Sequence, residues 1–499
     1  MTRASANRVS RSRIDQGNPT RQPSGTTVHP ETKLIRAPSR PPTVRPNQKL
    51  NLIPAFVHRR IAHRPNLVKI VDNIGWLFFD KVLRMGVGLF VGIWIARYLG
   101  PEQFGLLNFA LAFTGLFGAI AALGLQGIVV RDIVRDPDGA RLTLGTAAVL
   151  HLVGGLVTFL LILFAIAQLR PDDPLARTIV AILGSMMLLK VSQIAVYWFE
   201  SQVQSKYTVW VQNSAFLLFA AVKVLLILNE APLIAFVWAM LAEAAVVAIA
   251  LLIVMGARGP MLSHLRASST RAKGLLRDSW PLILSSIAIM IYMKIDQIML
   301  GQMIGDEAVG IYSAAVRISE VWYFIPMVVV ASVFPAILEA KKRSEALYYS
   351  RLQKLYDFMV LLSVSVALPM TFIATPLVVL LFGAPYAESG VVLAIHIWAS
   401  VFVFLGVASS KWFLAENRQL LSLQRTFFGA IANVGLNLWL IPLYGPVGAA
   451  MATVVSYSVA AFFADLLNQE TRRMFVMKSR SLNIISAIGR LSSPRAETP

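Results

Sequence analysis

No cysteine occurs among the 499 residues, which excludes disulfides and thiol chemistry. Charge is scarce too. Only 14% of residues are charged against 56% apolar, with a mean hydropathy of +0.65, whereas soluble domains carry roughly a quarter charged residues. Such a chain has too little polar surface to face water all round. No Walker sequence, zinc-ligand spacing or paired-glycine nucleotide loop is present, so no cofactor or metal is expected and an ATP-driven pump is disfavoured. The six histidines, His29, His58, His63, His151, His264 and His396, form no ligand pattern. Alternating ten-residue strands are absent, which leaves helices rather than a closed barrel as the spanning structure.

What the chain does contain is long apolar runs. A hydrocarbon core takes about 20 apolar residues per helix. That length recurs over 73–96, 104–130, 142–168, 177–199, 207–228, 232–255, 279–301, 308–334, 355–380, 389–410, 421–441 and 446–468. The fold class expected is an all-α polytopic membrane protein of about twelve transmembrane helices. Lys and Arg alternate sharply between the connections. The loops near 131–141, 200–206, 256–277, 336–354 and 411–425 carry 17, and the opposite set carries 3. Basic loops stay inside, so both termini are expected in the cytoplasm. Residues 1–60 hold 12 Lys or Arg against Asp15 and Glu31. They read as a disordered basic tail that fixes topology or lies against anionic headgroups. Without aromatic interleaving or a known module, nucleic-acid binding is not expected. Nor does the tail show the apolar core and cleavage site of a signal peptide.

The widest basic connection, 256–278, divides an N-terminal lobe (61–255) from a C-terminal lobe (279–470), six helices each, and a basic C-terminal tail follows (471–499). Gly100-Pro101-Glu102-Gln103-Phe104-Gly105 follows the first span, and Gly305-Asp306-Glu307-Ala308-Val309-Gly310 follows the seventh, 205 residues later. Both place Gly-x-Glu-x-x-Gly before an apolar helix, which reads as a duplication. The lobes would then be parallel repeats about a pseudo-two-fold axis along the membrane normal, an architecture suited to alternating access. Gly100, Gly105, Gly305 and Gly310 are gating or packing candidates.

Ionisable side chains inside the bilayer are costly and usually face a cavity or a partner. The first span carries Asp80 and Arg84, and the eighth carries Arg317 and Glu320. Each pair shares a helix face, so each reads either as a self-neutralising structural pair or as part of a cavity. Lys190, Lys223 and Lys294 have no opposite charge at i±3 or i±4. Lys223 lies near the external end, where it can snorkel, while Lys190 and Lys294 lie deeper. The excess of deep cations (Arg84, Lys190, Lys294, Arg317) suggests an anionic cargo. The carboxylates Asp296, Glu320, Glu243 and Asp80 are candidates for coupling to a proton or Na⁺. Trp94, Trp198 and Trp322 are candidates for a sugar-binding surface, and Glu416 for a loop contact. Every external loop is short, so an enzyme active site is not expected.

Ala96-Arg97-Tyr98-Leu99-Gly100-Pro101-Glu102-Gln103-Phe104-Gly105 resembles the first-loop signature of bacterial polysaccharide-biosynthesis flippases. Lys294-Ile295-Asp296-Gln297-Ile298-Met299-Leu300-Gly301 with Gly310-Ile311-Tyr312-Ser313, and Asn437-Leu438-Trp439-Leu440-Ile441-Pro442 with Gly448-Ala449-Ala450, resemble later family segments. The combination is similar to Wzx-type flippases and the wider multidrug/oligosaccharidyl-lipid/polysaccharide exporters. The resemblance implies two six-helix lobes around a cationic cavity, in a bacterial inner membrane. It further implies transfer of an undecaprenyl-diphosphate-linked glycan to the external leaflet for O-antigen or exopolysaccharide assembly. Membrane lipids, a polysaccharide polymerase and assembly proteins are the implied partners. By resemblance, Lys294 and Asp296 match the family's seventh-helix charged pair, and Arg84 a first-helix basic position. The alternatives are a small-molecule antiporter of the same fold and a non-transporting scaffold for glycan-assembly enzymes.

Overall fold

The computed structural model describes residues 65–492, with side chains from Asn73 onward. The basic tail expected over 1–60 lies outside the described residues. Within them the chain is all helical. Ten helical stretches are long and apolar enough to span a membrane. Two of these break at a glycine in the left-handed region, Gly100 (φ 73°) and Gly445 (φ 56°). The first stretch has 58 residues, about 87 Å at 1.5 Å per residue, nearly three hydrocarbon thicknesses. It is therefore two spans joined at Gly100, and the two breaks together restore the twelve spans expected.

The helices are α1 (65–99), α2 (101–122), α3 (Leu125–Arg135), α4 (Ala140–Leu169), α5 (Pro174–Ser185), α6 (Gln193–Ser201), α7 (Lys206–Leu228) and α8 (Leu233–Arg258), followed by α9 (Ser269–Met303), α10 (Asp306–Val321), α11 (Phe324–Arg343), α12 (Glu345–Phe382), α13 (Ser389–His396), α14 (Ala399–Ala415), α15 (419–444), α16 (446–461), α17 (Arg472–Leu482) and α18 (Ile484–Ser492). Caps set several starts. Asp173 accepts from Ala176 N with Pro174 in the first turn, Ser268 accepts from Arg271 N, and Ser344 from Leu347 N, each satisfying a donor that the helix leaves open.

Four expected spans are interrupted rather than continuous. The second breaks between α2 and α3, where Leu123 and Gly124 are left-handed. The fourth unwinds into a 3₁₀ turn at Leu188–Ser192. The eighth breaks at Trp322–Tyr323 and the tenth at Ile397–Trp398. Pro326 accounts for the break in the eighth, because its ring opposes the carbonyl four residues back, that of Trp322. Spans two and eight, and four and ten, occupy equivalent places in the two halves.

Helices α1–α8 pack among themselves, as do α10–α16, and the halves meet where α1 and α2 lie against α9 and α10. The start of α9 lies along α3 and α4, while the helix also packs on α15. Arg271 bridges to Asp132 (2.8 Å) and Arg131 to Asp278 (2.7 Å).

The basic C-terminal segment is folded onto the second half. Lys478 in α17 is wholly buried, donating to Asp465 (2.7 Å) and to Ala461 O (2.6 Å). Arg490 in α18 donates twice to the buried Asp357 of α12 (2.8 Å each), which also accepts from Gln353 and Ser481.

Removing one partner of a buried ion pair strands the other charge, whereas removing both is far less costly. Lys478→Met is expected to destabilise the docked C-terminal helices by roughly 3–5 kcal/mol, and Lys478→Met with Asp465→Leu to recover most of that. Thermal unfolding in detergent checks both. Burial lowers the Lys478 ammonium from 10.5 to about 8, against the opposing pull of Asp465. Between those values the undocked helix binds the extra proton, so docking strengthens as pH rises from about 8 toward 10.5. Protease resistance of the C-terminal helices, followed across that window, should therefore increase.

Candidate functional site

The duplicated glycine motifs meet face to face. A Cβ on Gly105 would collide with the carbonyl of Asp306 and the backbone nitrogen of Gly310, and a Cβ on Gly310 would collide with the carbonyl of Pro101. Pro101 and Asp306 are themselves equivalent positions of the repeat, so the contact is reciprocal, as a two-fold interface requires. Gly100 (φ 73°) and Gly305 (φ 135°) make the turns into α2 and α10, conformations that a side chain opposes. Polar contacts reinforce this seam at the sparsely charged end. Arg170 donates to both oxygens of Asp306 (2.7 and 3.0 Å) and to Gly301 O (2.7 Å), with its guanidinium 3.9 Å from the Phe109 ring centroid. Tyr386 donates across the seam to Ala96 O (2.7 Å), while within the second half Ser389 donates to Ile311 O (2.7 Å). Among these, only the motif around Asp306 was visible in the sequence. Arg170 stood out merely as one of the few bases on its side.

Directly behind the seam is a cavity of about 150 Å³ between α1, α2, α7, α8 and α10, apolar except for Asn108, Lys223 and Arg317. Arg84, Gly88, Gly92 and Ile95 recur at helical spacing along one face of α1. Gly92 makes room for Arg317, whose guanidinium lies where a Cβ would stand. Arg317 sits 5.4 Å from the Phe104 ring centroid. It has no ion-pair partner among the described residues. Glu320, on the same face of α10 by spacing, is within ion-pair distance of Lys294 of α9 at 3.9 Å. Arg84 keeps Asp80 (2.7 Å), yet one of its terminal nitrogens is buried without a hydrogen bond. Its guanidinium lies 5.3 Å from the ring of Phe216, which also lines the cavity.

The remaining charges sort differently. Lys223 faces the cavity but is tied to Glu243 of α8 (2.7 Å), an interhelical pair that sequence spacing along one helix does not show. Lys190 sits on the 3₁₀ turn, which packs against α4 and α8. It is not among the residues lining the Arg317 cavity. Glu416 pairs with Lys341 (2.8 Å). His151 bonds Ala121 O and Tyr197, and His396 bonds Ser319, both as packed polar groups. Trp94, Trp198 and Trp322, the candidates for a sugar surface, are not among the residues lining the cavity.

Asp296 points away from Lys294, into the second half. It is 2% exposed and accepts from Asn437 (2.5 Å), Tyr312 (2.7 Å) and Thr453 (2.7 Å). Asn433 and the carbonyl of Ala449 extend this oxygen cluster through Asn437 and Thr453. Asn437 Oδ1 is buried with no hydrogen-bond partner. No Lys or Arg forms an ion pair with Asp296 among the described residues. Three donors stabilise a carboxylate, but the negative charge stays uncompensated by any side chain in contact.

Residues 70–341 match the family model described as polysaccharide biosynthesis protein. A probable low-salt glycan biosynthesis flippase of Haloferax volcanii is 23% identical over 75% of this chain and 78% of its own. The probable flippase AglR of the same organism is 24% identical over 80% of this chain and 83% of its own. In fold, the chain is similar to the lipid II flippase MurJ in an inward closed conformation, with TM-score 0.65 and 13% identity over 86% of this chain and 94% of that one. It is also similar to an inward-facing multidrug resistance MATE family transporter of the MOP superfamily, with TM-score 0.62 and 18% identity over 80% and 96%.

A side chain at either seam glycine has nowhere to go in a close-packed contact. Gly105→Leu or Gly310→Leu is expected to widen the seam by roughly 2 Å or more. Electron–electron distances between nitroxides on Glu102→Cys and Glu307→Cys, both exposed, measure it in an otherwise cysteine-free chain.

Proposed function

The chain belongs to the polysaccharide biosynthesis protein family, multi-pass membrane proteins related to flippases and MATE transporters rather than to enzymes, and we propose that it moves a polyprenyl-diphosphate-linked oligosaccharide across the membrane by alternating access. The observation that carries this reading is Arg317, a guanidinium that reaches from the second half into a cavity lined by helices of the first, with no carboxylate within ion-pair distance among the described residues. Such a charge needs an anion, and guanidinium suits the bidentate geometry of phosphate oxygens. Arg84, half-satisfied on the same face of α1, is a second contact for the diphosphate on its way in.

The cavity holds about 150 Å³, well below the roughly 300–1,000 Å³ of a site that encloses a sizeable ligand. The halves must therefore separate to admit sugars. Because the glycine seam closes the sparsely charged end, separation at the basic end is the entry step. Basic loops stay on the cytoplasmic side, so loading is cytoplasmic and release external. The polyprenyl chain stays in lipid. In the return half-cycle the glycine contact opens, and the Arg170–Asp306 bridge with it. The Asp296 cluster supplies coupling. A proton or Na⁺ taken up there compensates the buried carboxylate, and Tyr312 carries the change to α10, the helix bearing Arg317. A small-molecule antiporter of cationic drugs fits less well, since Arg317 and Arg84 repel that cargo.

Reconstituted protein is expected to move a labelled polyprenyl-diphosphate oligosaccharide between leaflets, and Arg317→Gln to slow that movement roughly tenfold or more, the worth of one charge-assisted hydrogen bond. Unchanged movement in Arg317→Gln and in Arg84→Gln would refute the anionic site. Asp296→Asn is expected to make the rate insensitive to imposed proton and Na⁺ gradients while glycolipid binding persists, as read by equilibrium binding beside the transport assay.

A further inference from the structure

Helix α18 is mounted the wrong way round for a surface helix in water. Ile484, Ile485, Ile488 and Leu491 share one face by helical spacing. Ile484, Ile485 and Ile488 are 39%, 85% and 52% exposed. The helix turns Ala487 and Arg490 toward the bundle instead, and Arg490 is fastened to Asp357. An amphipathic helix in water buries its apolar stripe and exposes its bases. Here the stripe is exposed and the helix's single base, Arg490, is drawn inward.

The position explains the inversion. Asp357 lies at the start of the span expected at 355–380, and α17 begins six residues after the last span ends at Leu466. Both helices therefore stand at the boundary between hydrocarbon and headgroups, at the basic end of the bundle. From Thr471 to Arg495 the chain has five Arg and one Lys and no acid. Arg472 and Arg480 are exposed and have no carboxylate within ion-pair distance among the described residues. An exposed apolar stripe flanked by unneutralised bases at this depth matches one surface, acyl chains beneath anionic headgroups.

We propose that α17 and α18 form an interfacial docking element for anionic lipid, with Ile484, Ile485 and Ile488 inserted among acyl chains and Arg472 and Arg480 against headgroup phosphates. Its buried ties, Arg490 to Asp357 and Lys478 to Asp465, fasten the basic end of α12 and of the α16 span to the bilayer surface. The element holds this part of the second half at a fixed depth, and it does so irrespective of the cargo.

The test uses the full-length protein in vesicles, with nitroxides on Ile485→Cys and, facing the opposite side of α18, on Ser486→Cys. Accessibility is compared for oxygen, which partitions into lipid, and a nickel chelate confined to water. In vesicles containing phosphatidylglycerol, the Ile485→Cys label should be shielded from the chelate and open to oxygen, with Ser486→Cys the reverse. Shielding should fall in phosphatidylcholine alone and with Arg472→Gln plus Arg480→Gln. Equal chelate accessibility at the two positions in anionic vesicles would overturn the proposal. So would shielding indifferent to lipid charge and to the arginine substitutions. Spin–spin broadening at Ile485→Cys, which reports a second copy of the chain on this face, would overturn it as well.

Discussion

Hydrocarbon does not solvate charge, so each ionised group within the bundle must find a partner, and those pairings organise the rest of the structure. Lys223 with Glu243 and Lys294 with Glu320 are settled between helices, and Asp80 with Arg84 within α1. Of the groups that form no ion pair among the described residues, Lys190 and Arg425 among them, two are informative because of where they lie. Arg317 borders a cavity on α10, and Asp296 anchors an oxygen cluster on α9. One group lacks an anion and the other lacks a cation. They are joined through Tyr312, which bonds Asp296 from the same helix that carries Arg317. A transporter that exchanges a cation for movement of an anionic lipid has use for both deficits.

The backbone contact at Gly105 and Gly310 gives this chemistry its geometry. Bare glycines let the two copies of the repeated motif interlock, and they place Arg170 against Asp306 across the seam. The same closeness, one or two turns further into the bundle, lets Arg317 lie on Gly92. Close approach at one end and a charge-lined cavity behind it are thus consequences of small residues at matching places in both halves. Spans two, four, eight and ten are interrupted on either side of this core. A 3₁₀ stretch inside a longer helix often marks a hinge.

Much of this was legible in the sequence. Hydropathy gave twelve spans because length and apolarity are local properties. The Gly-x-Glu-x-x-Gly echo pointed to the duplication because two short strings sit at equivalent loops. Pairings across helices were not legible, since spacing along one helix cannot show that Glu243 meets Lys223 or that Arg170 meets Asp306, 136 residues away. The i,i+3 relation of Arg317 and Glu320 left a structural pair and a cavity role both open, and it could not show that Lys294 of α9 is the base within ion-pair distance of Glu320. The unwinding at Leu188–Ser192 carries no proline or glycine to announce it. The oxygen cluster around Asp296 draws on four helices, α9, α10, α15 and α16, and only its carboxylate was a site candidate by its charge.

The proposed selection of an anion rests on the cavity that Arg317 borders. Equilibrium binding of the purified protein to a polyprenyl-diphosphate oligosaccharide, against the same glycolipid with an uncharged linkage in place of the diphosphate, tests it most directly. The account predicts strong preference for the diphosphate, weakening as salt rises. Equal affinity for the two, or tighter binding of the uncharged lipid, would contradict it.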